Sequence, residues 1–218
     1  MIFDLEEGEQ AVKSGAYRQA FKIFLSMCQN YEDPAYYKVS EMVLNDQLLP
    51  EERDQLIDML GREVNKHNLE AAFNLAILYW RAPAIRDLQR ASELLNLCMR
   101  NAMPEAHVAL AKLYLGDGQD LPGARSEAIM ELLLDGFGLG SIEAAWHIAR
   151  QYLTGTHTTR DDFEAFKWLC VAGRLGHEEA RKHALMMEGL RPAGAYAHAR
   201  EEALELVSSM ETAMVRFR

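Results

Sequence analysis

Several residue patterns in this 218-residue chain are of types that can do chemistry. His177-Glu178-Glu179-Ala180-Arg181 begins like the helical zinc-protease motif, in which two histidines one turn apart hold the metal and a glutamate acts as base. The second histidine is missing, because Arg181 stands in its place. Gly136-x-Gly138-x-Gly140-Ser141 has the glycine spacing of a phosphate-binding loop. It follows a predicted helix rather than a strand and carries no lysine, so it reads as a turn. Glu6-Glu7, Glu51-Glu52 and Glu201-Glu202 pair carboxylates, as acid–base catalysis requires, but they fall at predicted helix starts or on solvated faces. No nucleophile elbow, catalytic dyad or Cys-x-x-Cys pair is present. These residues predict no enzyme, no cofactor and no metal ion, which leaves surface recognition as the chemistry to look for.

The elements that must position such a surface are written in a repeat. Ala71, Ala106, Ala144 and Ala180 open four similar stretches at steps of 35, 38 and 36 residues. The first three continue as Ala-x-x-x-Leu/Ile-Ala-x-x-Tyr: Leu75, Ala76 and Tyr79; Leu110, Ala111 and Tyr114; Ile148, Ala149 and Tyr152. The fourth keeps Ala184 but has Glu188 at the tyrosine position. A period of this length belongs to stacked helix pairs. A weaker copy begins at Ala35, with Val39 and Val43 at the Leu and Tyr positions, and Gly8, Gly15, Tyr17, Ala20 and Phe24 mark a further pair. Within the third unit, a first helix is predicted from about Ile142 to Leu153. A second is predicted from Phe163 to Gly173, capped by Asp161 or Asp162 and ended by Gly173 and Gly176. Ala91, Ala128 and Ala165, 37 residues apart, set the expected register of the second helices. The Gly136–Ser141 stretch is expected to absorb the extra length of the 38-residue step.

Composition agrees with a folded protein: 49% of residues are hydrophobic and 26% charged, and net charge is −10. Residues 1–70 carry 14 acidic and 7 basic side chains, against 19 and 16 in the rest, so the first third is the acidic part. An acidic chain without a basic cluster is a poor match for nucleic acid. The N-terminal MIFDLEEGEQAV resembles no secretory signal, and no apolar run reaches the roughly 20 residues of a membrane helix. Cys28, Cys98 and Cys170 are expected to be buried free thiols, which points to a reducing, cytoplasmic setting.

The third unit resembles the Sel-one-like repeat family, a variant of the tetratricopeptide repeat. The matching positions are Ala144, Ile148, Ala149, Tyr152, Gly155, Asp161, Ala165, Trp168, Ala172 and Gly176, while His157 and Glu164 replace a glycine and a lysine of the pattern. The second unit keeps Tyr114, Gly116, Gly118 and Ala128 but loses the tryptophan. The opening SGAYRQAFKIF is similar to an ordinary tetratricopeptide unit. The resemblance implies an all-α, right-handed α-solenoid of about six antiparallel helix pairs ending in a C-terminal capping helix over Ala195 to Phe217. Residues 1–218 would form one solenoid, with degenerate units over 1–69, the best repeats over 70–180, and a degenerate last unit with its cap over 181–218. The family's members are mostly adaptors and scaffolds.

In such an array the first helix of each pair lines the concave face. Two ridges are expected there: Tyr37, Phe73, Val108, Trp146 and Lys182, and beside it Glu41, Ile77, Lys112, Arg150 and Met186. Trp80 adds to the same wall. The partner-binding set is therefore Tyr37, Phe73, Ile77, Trp80, Lys112, Trp146 and Arg150, suited to an extended or helical protein segment with acidic groups. Tight curvature would instead bury these side chains against one another. The other reading is a regulatory or inhibitory partner that masks a basic enzyme or toxin through the acidic first third, around Glu6, Glu7 and Glu9.

Overall fold

The computed structural model describes residues 5–30 and 33–216, and twelve α-helices and one short 3-10 turn occupy them with no strand. In chain order these are α1 (Leu5–Lys13), α2 (Tyr17–Gln29), α3 (Asp33–Leu44), α4 (Pro50–Asn65), α5 (Leu69–Arg81), α6 (Leu88–Arg100), α7 (Pro104–Leu115), α8 (Ser126–Gly138), α9 (Ile142–Thr154), α10 (Asp162–Arg174), α11 (Glu178–Gly189) and α12 (Ala197–Arg216), with the 3-10 turn at Pro83–Ile85. They form two compact units, Met1–Asn101 and Ala102–Arg218. The helices alternate as the repeat predicts. Every alanine that opens a motif copy (Ala35, Ala71, Ala106, Ala144 and Ala180) is completely buried. A methyl group at these points lets neighbouring helices approach closely, while in the three central copies Leu75, Leu110 and Ile148, four residues on, fill the space between them.

The turns explain the period. From α4 to α5, α6 to α7, α8 to α9 and α10 to α11, the connection is always three residues long. Its middle residue is left-handed: His67 (φ 65°), Ala102 (φ 58°), Gly140 (φ 104°) and Gly176 (φ 108°). The next residue caps the following helix. Asn68 Oδ1 accepts from the Ala71 N–H at 2.9 Å, Ser141 Oγ from Ala144 at 3.4 Å, and His177 Nδ1 from Ala180 at 3.1 Å. The motif alanine is thus the third residue of its helix, the one whose free N–H a cap side chain satisfies. Met103, at the equivalent place before Ala106, makes no side-chain cap.

Three expectations need correcting. The extra length of the 38-residue step does not lie at Gly136–Ser141. It lies in the ten-residue loop 116–125, against six and seven residues at 82–87 and 155–161. The second-helix register is not Ala91–Ala128–Ala165 either. Ala91, Ile129 and Ala165 are the completely buried positions, with Leu95, Leu133 and Leu169 one turn on, while Ala128 is half-buried. The inserted loop residues shift this column by one, so it keeps the 38- and 36-residue steps of the first helices. Finally, Gly173 does not end its helix. It sits inside α10, where a Cβ would lie 3.0 Å from the Arg181 Cα, so its missing side chain lets α11 approach.

In the N-terminal unit, α2, α3, α4 and α5 enclose a core that includes Phe24, Leu56, Leu60 and Leu78. Tyr36 is its largest completely buried side chain. Its hydroxyl donates to the Cys28 carbonyl at 2.9 Å and accepts from Asn68 Nδ2 at 3.0 Å, tying α2 and α3 to the start of α5. Pro50 opens α4 as expected, and Glu52 accepts the Leu49 N–H at 3.0 Å.

In the C-terminal unit α10 is central and packs on α9, α11 and α12. Asp161 caps it, accepting from Phe163 and Glu164 at 2.8 and 3.0 Å. Gly155 (φ 67°) ends α9. Trp168 meets Phe137 of α8 edge to face, with centroids 5.1 Å apart. The expected C-terminal cap and the second helix of the sixth pair prove to be the same element, α12. Ala203, Val207 and Met210 form its buried face, and Lys167 of α10 pairs with Glu202 at 3.3 Å. Tyr196, just before α12, stacks on Phe166 with centroids 4.1 Å apart. The side chain of Met214 and all of Phe217, also expected on that face, lie outside the described residues.

Candidate binding face

The best-defined polar arrangement is in the C-terminal unit, on α7, α9 and α11. Its centre is Glu143, in the first turn of α9. Glu143 Oε1 is 3.3 Å from Lys112 Nζ of α7 and 3.2 Å from His147 Nε2, one turn along α9. Its Oε2 is 3.5 Å from His177 Nε2, at the start of α11. The hydrogen bond from His147 and the Lys112 charge hold the Glu143 carboxyl down at about 2, against the opposing effect of partial burial. A carboxylate fixed in its ionised form is a poor proton shuttle and a good anchor. Because His177 Nδ1 accepts the Ala180 N–H, its proton resides on Nε2, the atom that faces Glu143.

Trp146 lies beside this anchor. Its indole is half-buried and stacks on His177, with centroids 4.9 Å apart and planes at 24°. The ring of His183, one turn and a half into α11, meets it edge-on at 5.2 Å. His183 Nδ1 donates to the Glu179 carbonyl at 2.9 Å, which fixes that ring as well. Arg150, Lys182 and Met186 are exposed on α9 and α11. The result is a held aromatic plate with cations beside it. Among the described residues, no cluster of His, Cys, Asp and Glu side chains could hold a metal ion.

Of the residues expected to bind a partner, Lys112, Trp146 and Arg150 fall in this unit, with Lys112 already engaged by Glu143. Val108, expected on the same ridge, is buried. In the N-terminal unit, Tyr37 is 56% exposed on α3, and its hydroxyl donates to Glu41 at 2.8 Å. Phe73 and Ile77 are half-buried on α5, which packs against α3. Trp80 is buried, and Arg81 lies over its ring at 4.8 Å, so it serves packing and offers no ring face to a partner. The sequence reading placed none of Glu143, His147, His177 and His183 on a binding face, and took His177 only as the start of an incomplete zinc motif. A signal for three of them was there: Glu143 and His147 are one helical turn apart, and His177 stands three residues before a motif alanine, as Asn68 and Ser141 do.

The thiols differ from expectation at one position. Cys28 and Cys98 are completely buried, whereas Cys170 is only partly so. No described helix is long and apolar enough to cross a membrane.

No family model matches this sequence, and no curated protein does. Solved structures do match. The Sel1 repeat protein from Oxalobacter formigenes is 15% identical with a TM-score of 0.62, over 96% of this chain and 84% of that one. The protein c5321, a protective antigen of uropathogenic Escherichia coli strains displaying an SLR fold, is 15% identical with a TM-score of 0.64. That match covers 88% of this chain but only 40% of c5321. At this identity the likeness is one of fold: over its described residues the chain is all-helical, with an SLR-type helical-repeat fold.

Proposed function

We infer that this chain is a non-enzymatic binding module that takes a protein or peptide across the first helices of its repeats. The observation that carries this reading is Trp146, a large half-buried ring fixed between His177 and His183 with Arg150 and Lys182 exposed nearby. Rigid aromatic and arginine side chains are the usual sources of binding energy at protein surfaces, because little side-chain freedom is lost on contact. Tyr37, Phe73 and Ile77 supply a second, more apolar contact set in the N-terminal unit. The partner is a segment with acidic groups, met by Arg150 and Lys182. An adaptor role in the cytoplasm is consistent with this chemistry.

The test is a pull-down from cell lysate with the wild type and a Tyr37→Ala/Phe73→Ala/Trp146→Ala variant of unchanged circular dichroism. Proteins retained by the wild type and lost by the variant support the reading. Equal retention by both sinks it.

A second reading rests on the other end of the chain. Glu6 and Glu7 are exposed on α1 and, with Gln10 and Gln19, line an open cavity of about 590 Å³. A basic enzyme or toxin would be masked there. Glu9 is less available, since Lys38 Nζ holds it at 2.8 Å. Loss of the partner on Glu6→Lys/Glu7→Lys, with no loss on Trp146→Ala, would favour this alternative.

A further inference from the structure

A cavity of about 300 Å³ opens between α10, α11 and α12, in the C-terminal unit. It uses the Arg181, Ala184, Leu185 and Glu188 stripe of α11, not the one that carries His183 to Trp146. Its floor is apolar: Leu169 is completely buried and Ala184 nearly so, while Leu185 is 63% exposed. Its rim is cationic. Arg181 Nη2 is held by Glu178 at 2.6 Å, and Arg200 Nη2 by Glu188 at 2.5 Å. Arg174, exposed in the last turn of α10, has no acidic partner among the described residues. Three guanidinium groups thus line the cavity against one carboxylate, Glu188, in a chain whose net charge is −10.

We propose that this groove binds an acidic peptide segment carrying an apolar side chain between carboxylates. The side chain lies on Leu169, Ala184 and Leu185, and the carboxylates meet Arg174 and Arg181. Charge complementarity selects this occupant. An apolar floor alone would accept any hydrophobic segment, but guanidinium forks reward planar carboxylates with paired hydrogen bonds. Arg174 has that capacity unused, and Arg181 has only one contact of its fork engaged. A peptide without acidic groups would leave both unmatched. A basic one would be repelled at close range.

The proposal is independent of the Trp146 face and is tested apart from it. Random dodecapeptides displayed on phage are selected on the full chain, and the consensus peptide is synthesised and titrated by fluorescence anisotropy. The expected consensus is an apolar residue flanked by Asp or Glu. Its Kd should weaken at least tenfold with Arg174→Glu and several-fold with Arg181→Gln or Leu185→Ser, and should change less than twofold with Trp146→Ala. Raising salt from 50 to 500 mM should weaken it further, since the contacts are ionic. Arg174 and Leu185 are exposed, so those variants keep the fold, which thermal unfolding checks. A selection that yields no consensus, a consensus free of acidic residues, or an unchanged Kd in Arg174→Glu overturns the proposal. A concentration-dependent dimer abolished by Arg174→Glu, with no peptide selected, would overturn it in favour of a second copy of this chain.

Discussion

The imidazole of His177 does two jobs at once: it caps α11 through Nδ1, and its ring lies against the indole of Trp146 at 4.9 Å. The indole of Trp146 and the start of α11 are therefore held by the same side chain. His177→Ala should cost about 1 kcal/mol, the usual loss for an N-cap, and His177→Asn should restore most of it. Urea unfolding measures the stability, and Trp146 emission reports the lost stacking. Asn restores only the cap, so a variant that regains stability without regaining the emission separates the two jobs.

The ion cluster at Glu143 predicts a defined acid sensitivity. Its carboxyl ordinarily loses its proton near 4.5 but is held at about 2 in the fold. A depressed carboxyl stabilises the folded state above its ordinary value and loses that contribution as pH falls toward the folded one. The stability difference between wild type and Glu143→Gln should be constant above about 5 and should vanish between 4.5 and 2. Because Glu143 is close to half exposed, the difference is modest. Unfolding curves at pH 6, 4, 3 and 2 would show it, and a difference that persists at pH 2 would refute the assignment.

Trp168 is the keystone between α8 and α10, resting on Phe137. Trp168→Ala should destabilise by about 3–5 kcal/mol, as for other buried aromatic truncations. A loss below 1 kcal/mol by denaturant unfolding would mean that the repeats do not depend on this contact.

Two turn residues are open to improvement. Ala102 holds a left-handed conformation that glycine adopts at Gly140 and Gly176, and Met103 supplies no cap where Asn68 and Ser141 do. Ala102→Gly and Met103→Asn should each raise stability by about 0.5–1 kcal/mol. Thermal unfolding of the single and double variants would check this, with near-additive gains expected from the separate mechanisms.

The cysteines should separate into two classes. Burial pushes the Cys98 thiol up to about 11, and Cys28 is completely enclosed. Cys170 is partly accessible, although burial raises its thiol too. A thiol reagent at pH 8 should label Cys170 slowly in the native protein, and Cys28 and Cys98 only after denaturation.

Much of this architecture was legible because small and large residues recur at the repeat period. Ala144, Ile148 and Tyr152 located α9 to within a residue, and Asp161 located the start of α10. The register error at Ala128 shows the limit. Alanine is compatible with both a buried and a half-buried position, and only the three-dimensional column through Ile129 decides. Trp80 failed for a related reason: its place beside a predicted ridge says nothing of the Arg81 side chain that covers it. The Glu143 cluster was invisible as a whole because its members come from three helices, Lys112 being 31 residues from Glu143 and His177 a further 34. Only the fold brings those distances down to hydrogen-bond length.

The constant three-residue turns and the variable loops divide the chain into parts with different freedom to change. A residue added at 139–141 or 175–177 would disrupt the turn, since the left-handed residue and the cap must stay adjacent. The longer loop at 116–125 leaves the buried helix columns on either side in register. Added length is therefore best accommodated in one class of connection, the loops within a helix pair. In the C-terminal unit the end of one such connection already meets another, where Ser126 Oγ, at the first position of α8, lies 3.2 Å from His157 Nδ1. New sequence can accumulate there without disturbing the alanine lattice, which makes that edge the natural place for graft and variation.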